Sequence, residues 1–163
     1  MNTREVTLSA VIAAAYAALT LLLAPISYYQ VQVRVADALL ALTLLFGWPS
    51  IIGVTVGCFI ANILGPFGLI DAIGGSIANL VATIIGWKLR KNKILSLVSM
   101  AVVVSAIVSS YLYALFNVPY LVTFVYILIG SLISIAGLGY LLLKALERTA
   151  KTESFETAVY PAS

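Results

Sequence analysis

Six polar residues stand out in this chain because of what surrounds them. Arg34 and Asp37 open an apolar run within "QVQVRVADALLAL". Asn62 closes a second run, Asp71 opens a third, Asn79 follows Asp71 at a spacing of eight, and Asn117 closes a fourth. Together they supply two carboxylates, one guanidinium and three amides. That set is suited to holding a small, polar, hydrogen-bond-rich molecule, since an ionised carboxylate offers only acceptors, a guanidinium only donors and an amide both. It is not suited to catalysis. The chain has no histidine and a single cysteine, Cys58, inside an apolar stretch and read as a small buried hydrophobe. The usual nucleophile–base pairs, disulfides and most metal sites are therefore excluded. No G-x-x-x-x-G-K-[ST] loop is present, so the chain does not itself hydrolyse ATP. The expectation is a binding or transport protein, not an enzyme, with no cofactor.

The elements that must position these groups belong in lipid. Of 163 residues, 63% are hydrophobic and 9% charged, with a mean hydropathy of +1.12. A soluble domain has roughly 45–50% apolar and about 25% charged residues. Apolar runs near the length a helix needs to cross a bilayer recur along the chain. The expected fold is all-α, six transmembrane helices over residues 7–24, 35–46, 50–64, 69–87, 94–116 and 120–145. They form one domain, 1–146, with a short polar tail, 147–163. The second and third runs are short for a full crossing, which tilt or extension through "QVQVR" would relieve. A cleaved signal peptide competes as a reading of the first run, but Arg4 and Glu5 cancel ahead of it and it exceeds the usual apolar core.

With six spans, Arg4, Lys88, Arg90, Lys91, Lys93, Lys144, Arg148 and Lys151 fall on one side and Arg34 alone on the other. The positive-inside rule then puts both termini in the cytoplasm of a multi-pass cell-membrane protein. Five spans would separate the "KLRKNK" loop from one of the basic ends. The formal charge of +3 does not point to nucleic acid, because the basic residues sit between spans.

This topology gathers the polar set in the outer half of the membrane, with Asn79 about 12 Å deeper than Asp71 at 1.5 Å per residue. Tyr28, Tyr29, Gln30 and Gln32 lie in the connecting loop above. Two readings stand. The groups are helix-end residues at the interface, with Arg34 paired to Asp37 one turn on, or they line a pocket open to the outside. Asn79 is too deep for the first, and ionisable residues at membrane depth normally face a bundle interior or a wet cavity.

Small residues follow one another at spacing four. Gly53, Gly57, Ala61 and Gly65 form a row suited to close helix packing. In the first run Ala10, Ala14 and Ala18 form one row, and Ser9, Ala13 and Ala17 a second beside it. That double row is either internal packing or a face that docks another membrane protein.

The segments "QVQVRVADALLAL" and "GCFIANILGPFGLIDAIGGSIANLVATIIG" resemble the queuosine-precursor transporter (QueT) family. That family comprises substrate-binding S components of energy-coupling factor (ECF) transporters. The shared motifs are Q-x-R followed by an acidic residue, G-C-x-x-A-N and G-x-x-D, over residues 9–87. The family usually has glutamate where this chain has Asp37. The resemblance implies a 7-deazaguanine ligand such as 7-aminomethyl-7-deazaguanine, taken from the outer side. It further implies a transmembrane coupling protein and two ATP-binding-cassette ATPases as partners. On this basis Asp37 and Asp71 accept the guanine-edge N–H groups and balance the aminomethyl cation. Asn62 and Asn79 meet the ring carbonyl and nitrogens, and Arg34 positions Asp37 or meets the carbonyl. Tyr28 or Tyr29 stacks on the ring, and Gln32 and Asn117 complete the expected substrate-binding set. The alanine face of the first run resembles the family's docking surface. The alternatives are an S component for another vitamin-like molecule and a stand-alone secondary transporter, the latter expected to carry mid-membrane charges or an inverted repeat.

Overall fold

The computed structural model describes residues 2–27 and 33–159, and among these every regular element is helical. Asn2 starts α1 (Thr3–Leu22) with a capping box: its side chain accepts from the Glu5 amide at 2.9 Å, and Glu5 reaches back to the Asn2 amide at 2.8 Å. One short turn, α2 (Ala24–Ser27), follows. A 3-10 helix (Val35–Leu42) then runs into α3 (Thr43–Phe46). Gly47, at φ 64°, reverses the chain into α4 (Trp48–Ile63). The remaining elements are α5 (Gly68–Lys88), α6 (Lys93–Phe116), α7 (Tyr120–Ser131), a π-helical stretch (Leu132–Leu138) and α8 (Gly139–Val159).

Among the described residues, four helices are long and apolar enough to cross a membrane: Thr3–Leu22, Gly68–Lys88, Lys93–Ala114 and Tyr120–Thr149. Val35–Phe46 and Trp48–Ile63 are shorter apolar helices. All six lie where the hydropathy put them. The second is stretched by its 3-10 geometry, which rises about 2.0 Å per residue. Its twelve residues therefore reach about 22 Å, against about 18 Å for an α-helix. Eight residues of 3-10 helix is long for that geometry. Burial holds it: Ala36, Leu40 and Ala41 are fully enclosed. Gly139 lets α8 approach this helix, since a Cβ there would lie 3.0 Å from that of Ala41. The tail that reads as polar continues as helix to Val159.

The glycine row of α4 is a packing device. A Cβ on Gly57 would sit 2.6 Å from the Ala13 carbonyl oxygen, and one on Gly53 2.8 Å from that of Ser9. Ala61 is buried with them, whereas Gly65 lies past the end of α4 in the turn to α5. The double row of α1 divides accordingly. Ser9 and Ala13 face the α4 glycines and Ala17 is buried alongside, so these three form internal packing and are not free to dock a partner. Ala10, Ala14 and Ala18, one residue on, are exposed.

Candidate polar pocket

The polar residues that share one end of the bundle are linked by hydrogen bonds through two tyrosines. Tyr16, wholly buried on α1, donates its hydroxyl to Asp37 Oδ1 at 2.5 Å and accepts from Asn79 Nδ2 at 3.0 Å. Tyr111 on α6 donates to Asp71 Oδ1. Arg34 Nη2 lies 3.8 Å from Asp71 Oδ2, so the guanidinium pairs with the aspartate of another helix. Four segments far apart in sequence thus converge: α1, the 3-10 helix, α5 and α6. Arg34, Asp37, Asp71 and Asn79 are all nearly fully buried. A charge in such a place is tolerable only when paired and hydrogen-bonded. The interfacial helix-end reading fails on that burial.

Arg34, Asp37 and Asn79 border a cavity of about 10 Å³. Arg34, Asp37, Asn79, Tyr111 and Ser131 give it a polar edge, and Val104, Val108 and Ile127 an apolar wall beside Gly75. It is narrow, with room for roughly one water molecule. Its rim depends on two neighbouring glycines. A Cβ on Gly74 would strike the Tyr111 ring at 2.7 Å, and one on Gly75 the Asn62 amide nitrogen at 2.5 Å. Ser131 ends α7 where the π-helical stretch begins, and such departures from α geometry frequently mark functional sites.

The residues singled out by sequence fall into three groups. Arg34, Asp37 and Asn79 line the cavity, and Asp71 stands behind Arg34 and Tyr111. Asn62 is fully buried off the cavity. Its amide donates to the Asp71 carbonyl at 3.1 Å and to Cys58 Sγ at 3.3 Å, which ties α4 to α5. Asn117 is an exposed cap on α6 in the left-handed conformation, φ 54°, and makes no part of the pocket. Tyr28, Tyr29, Gln30 and Gln32 lie outside the described residues. Cys58 is buried as expected, but in polar company, with Arg34 Nη1 at 3.8 Å as well as Asn62.

Sequence reasoning passed over the polar Tyr111 and Ser131 on the cavity and Tyr16, which bonds Asp37 and Asn79. Tyr16 carried a signal. It falls on the buried side of α1 with Ala13 and Ala17, and a hydroxyl placed mid-span must find a partner.

An all-helical, multi-pass membrane protein with an enclosed polar pocket among its helices is the class these features define. Residues 6–148 match the QueT transporter family, and the chain belongs to it. The chain is also 38% identical over 87 residues to "Queuosine precursor transporter QueT" of Lactococcus lactis subsp. cremoris (strain MG1363). That match covers 52% of this chain and 50% of the relative, so the chain spans about half the length of the curated relative it matches. No solved structure matches the chain significantly.

Proposed function

We propose that this protein is the substrate-binding S component of an ECF-type importer and binds a queuosine precursor, a 7-deazaguanine such as 7-aminomethyl-7-deazaguanine. One observation carries the reading: a buried carboxylate, Asp37, and an amide, Asn79, line the same cavity as the apolar Val104, Val108 and Ile127. A flat heteroaromatic ring needs that combination, with its faces on Val104, Val108 and Ile127 and its N–H edge on the acceptors. Asp37 accepts the guanine-edge donors side by side. Arg34 meets the ring carbonyl, and Asn79 a ring nitrogen. Asp71 acts from behind, holding Arg34 and Tyr111. The cavity must widen to take a bicyclic ring. The family match and the name of the Lactococcus relative support the ligand class.

In this reading the chain crosses the membrane six times, with both termini and the 89–92 turn in the cytoplasm and the pocket open to the outside. Such a component has no ATPase of its own. It works with a transmembrane coupling protein and two ATP-binding-cassette ATPases, and the exposed Ala10, Ala14 and Ala18 meet the coupling protein.

The ligand is tested by identifying the small molecule that copurifies with the protein. A 7-deazaguanine mass is expected, and a different vitamin would replace this reading with the S component of another uptake system. Orientation is tested with single cysteines, buried Cys58 staying silent. Ser27→Cys should react with a membrane-impermeant maleimide on intact cells, and Lys91→Cys only after permeabilisation. The reverse pattern would turn the pocket inward.

A further inference from the structure

Away from the pocket, a groove of about 310 Å³ runs between the start of α6 and the junction of the π-helical stretch with α8. Leu97 and Ala136 line it below, and the exposed Ile94 and Tyr140 form its rim. We propose that this groove binds one anionic phospholipid, with an acyl chain along Leu97 and Ala136 and the phosphate at Tyr140 and Lys144.

The position of the groove selects a lipid. It begins one residue after Lys93, at the end of the bundle where the Trp48 and Trp87 rings meet at a tilt, centroids 6.4 Å apart, and Arg90 sits 4.2 Å above the Trp87 ring. Tryptophans mark the level of the membrane–water boundary. Leu97 is one turn inward, about 6 Å, which is the level of the glycerol and first methylenes of a phospholipid. The slot is lined by four residues, a small footprint for a partner helix about 10 Å across with its side chains.

Charge selects the headgroup. Lys93 is already taken, its Nζ 2.5 Å from Glu147 Oε1. Lys144 follows Tyr140 by one turn on the same side of α8. It is exposed and, among the described residues, has no ion-pair partner. The Tyr140 hydroxyl likewise makes no hydrogen bond among those residues. A phenol donor and an ammonium one turn apart at the boundary suit a phosphate oxygen. The net charge near the mouth is positive, so a zwitterionic lipid gains less there than an anionic one.

Native mass spectrometry of the delipidated protein with equimolar dioleoyl phosphatidylglycerol and dioleoyl phosphatidylcholine tests this. The wild type should retain one phosphatidylglycerol in preference to phosphatidylcholine. Lys144→Gln should cut that preference about fivefold, the worth of one lysine near an anionic surface. Ala136→Phe, which fills the slot, should remove the tightly held lipid whatever its headgroup. Ile94→Trp should do the same from an exposed rim position and stands in if the first variant does not fold. Equal retention of the two lipids by the wild type, or a tight lipid surviving both filling variants, would overturn the proposal.

Discussion

Asp37→Asn is expected to weaken binding of 7-aminomethyl-7-deazaguanine by roughly ten- to hundredfold, the value of a charge-assisted hydrogen bond at about 1.5–3 kcal/mol. The substitution is isosteric. The new carbonyl can still accept from Tyr16, so the α1 contact survives and the fold is retained. What is lost is the second acceptor on the ligand's N–H edge and the charge that attracts a cationic ligand. Tyr16→Phe probes the same carboxylate from the other side. Without its hydroxyl donor, Asp37 is less firmly oriented and Asn79 loses its partner, so affinity should fall, though less than for Asp37→Asn. Isothermal titration calorimetry on detergent-purified variants, with thermal unfolding alongside, separates these effects. Unchanged affinity in Asp37→Asn would move the ligand away from this cluster.

Ala14→Trp is expected to abolish uptake in cells while leaving the ligand affinity of the purified protein nearly unchanged. Ala14 is exposed on α1, in the row that turns away from the α4 glycines. An indole there points away from the α4 contact, and on the proposed docking it obstructs the coupling-protein helix that packs against the row. The companion substitution Ala13→Trp gives the contrast. Ala13 packs on Gly57, where even a methyl would lie 2.6 Å from backbone. Overpacking there costs typically about 1–3 kcal/mol, and binding and uptake should fall together. Uptake is measured with the coupling protein and both ATPases coexpressed. Normal uptake by Ala14→Trp would remove the docking role from this row.

The helices were legible in the sequence because lipid imposes one rule, that every backbone group be satisfied within its own segment. Apolar runs bounded by "GWPS", "GPFG" and "KLRKNK" therefore marked the segment ends closely. What hydropathy does not encode is helix type. Val35–Leu42 takes 3-10 geometry and Leu132–Leu138 π geometry, and the two stretches pack on each other. The same limit applies to the small-residue rows of α1. Both have spacing four, and only the position of α4 decides which one is internal. In the pocket, Arg34, Asp37, Asp71 and Asn79 stood out because charge and amide are rare in apolar runs. The tyrosines did not, since an aromatic in a span reads as filler until its hydroxyl is seen to bond. Asn62 and Asn117 misled for the opposite reason: each is polar and sits at a helix end, but one braces two helices and the other caps one.

The central claim is that the pocket holds a 7-deazaguanine. The most direct measurement is a calorimetric titration of the purified, ligand-stripped protein with 7-aminomethyl-7-deazaguanine, beside thiamine, riboflavin and biotin as competitors of unrelated shape. Saturable binding of one deazaguanine per chain, unaffected by the three vitamins, is the predicted result. Absence of heat with the deazaguanine, together with saturable binding of any of the vitamins, would contradict it.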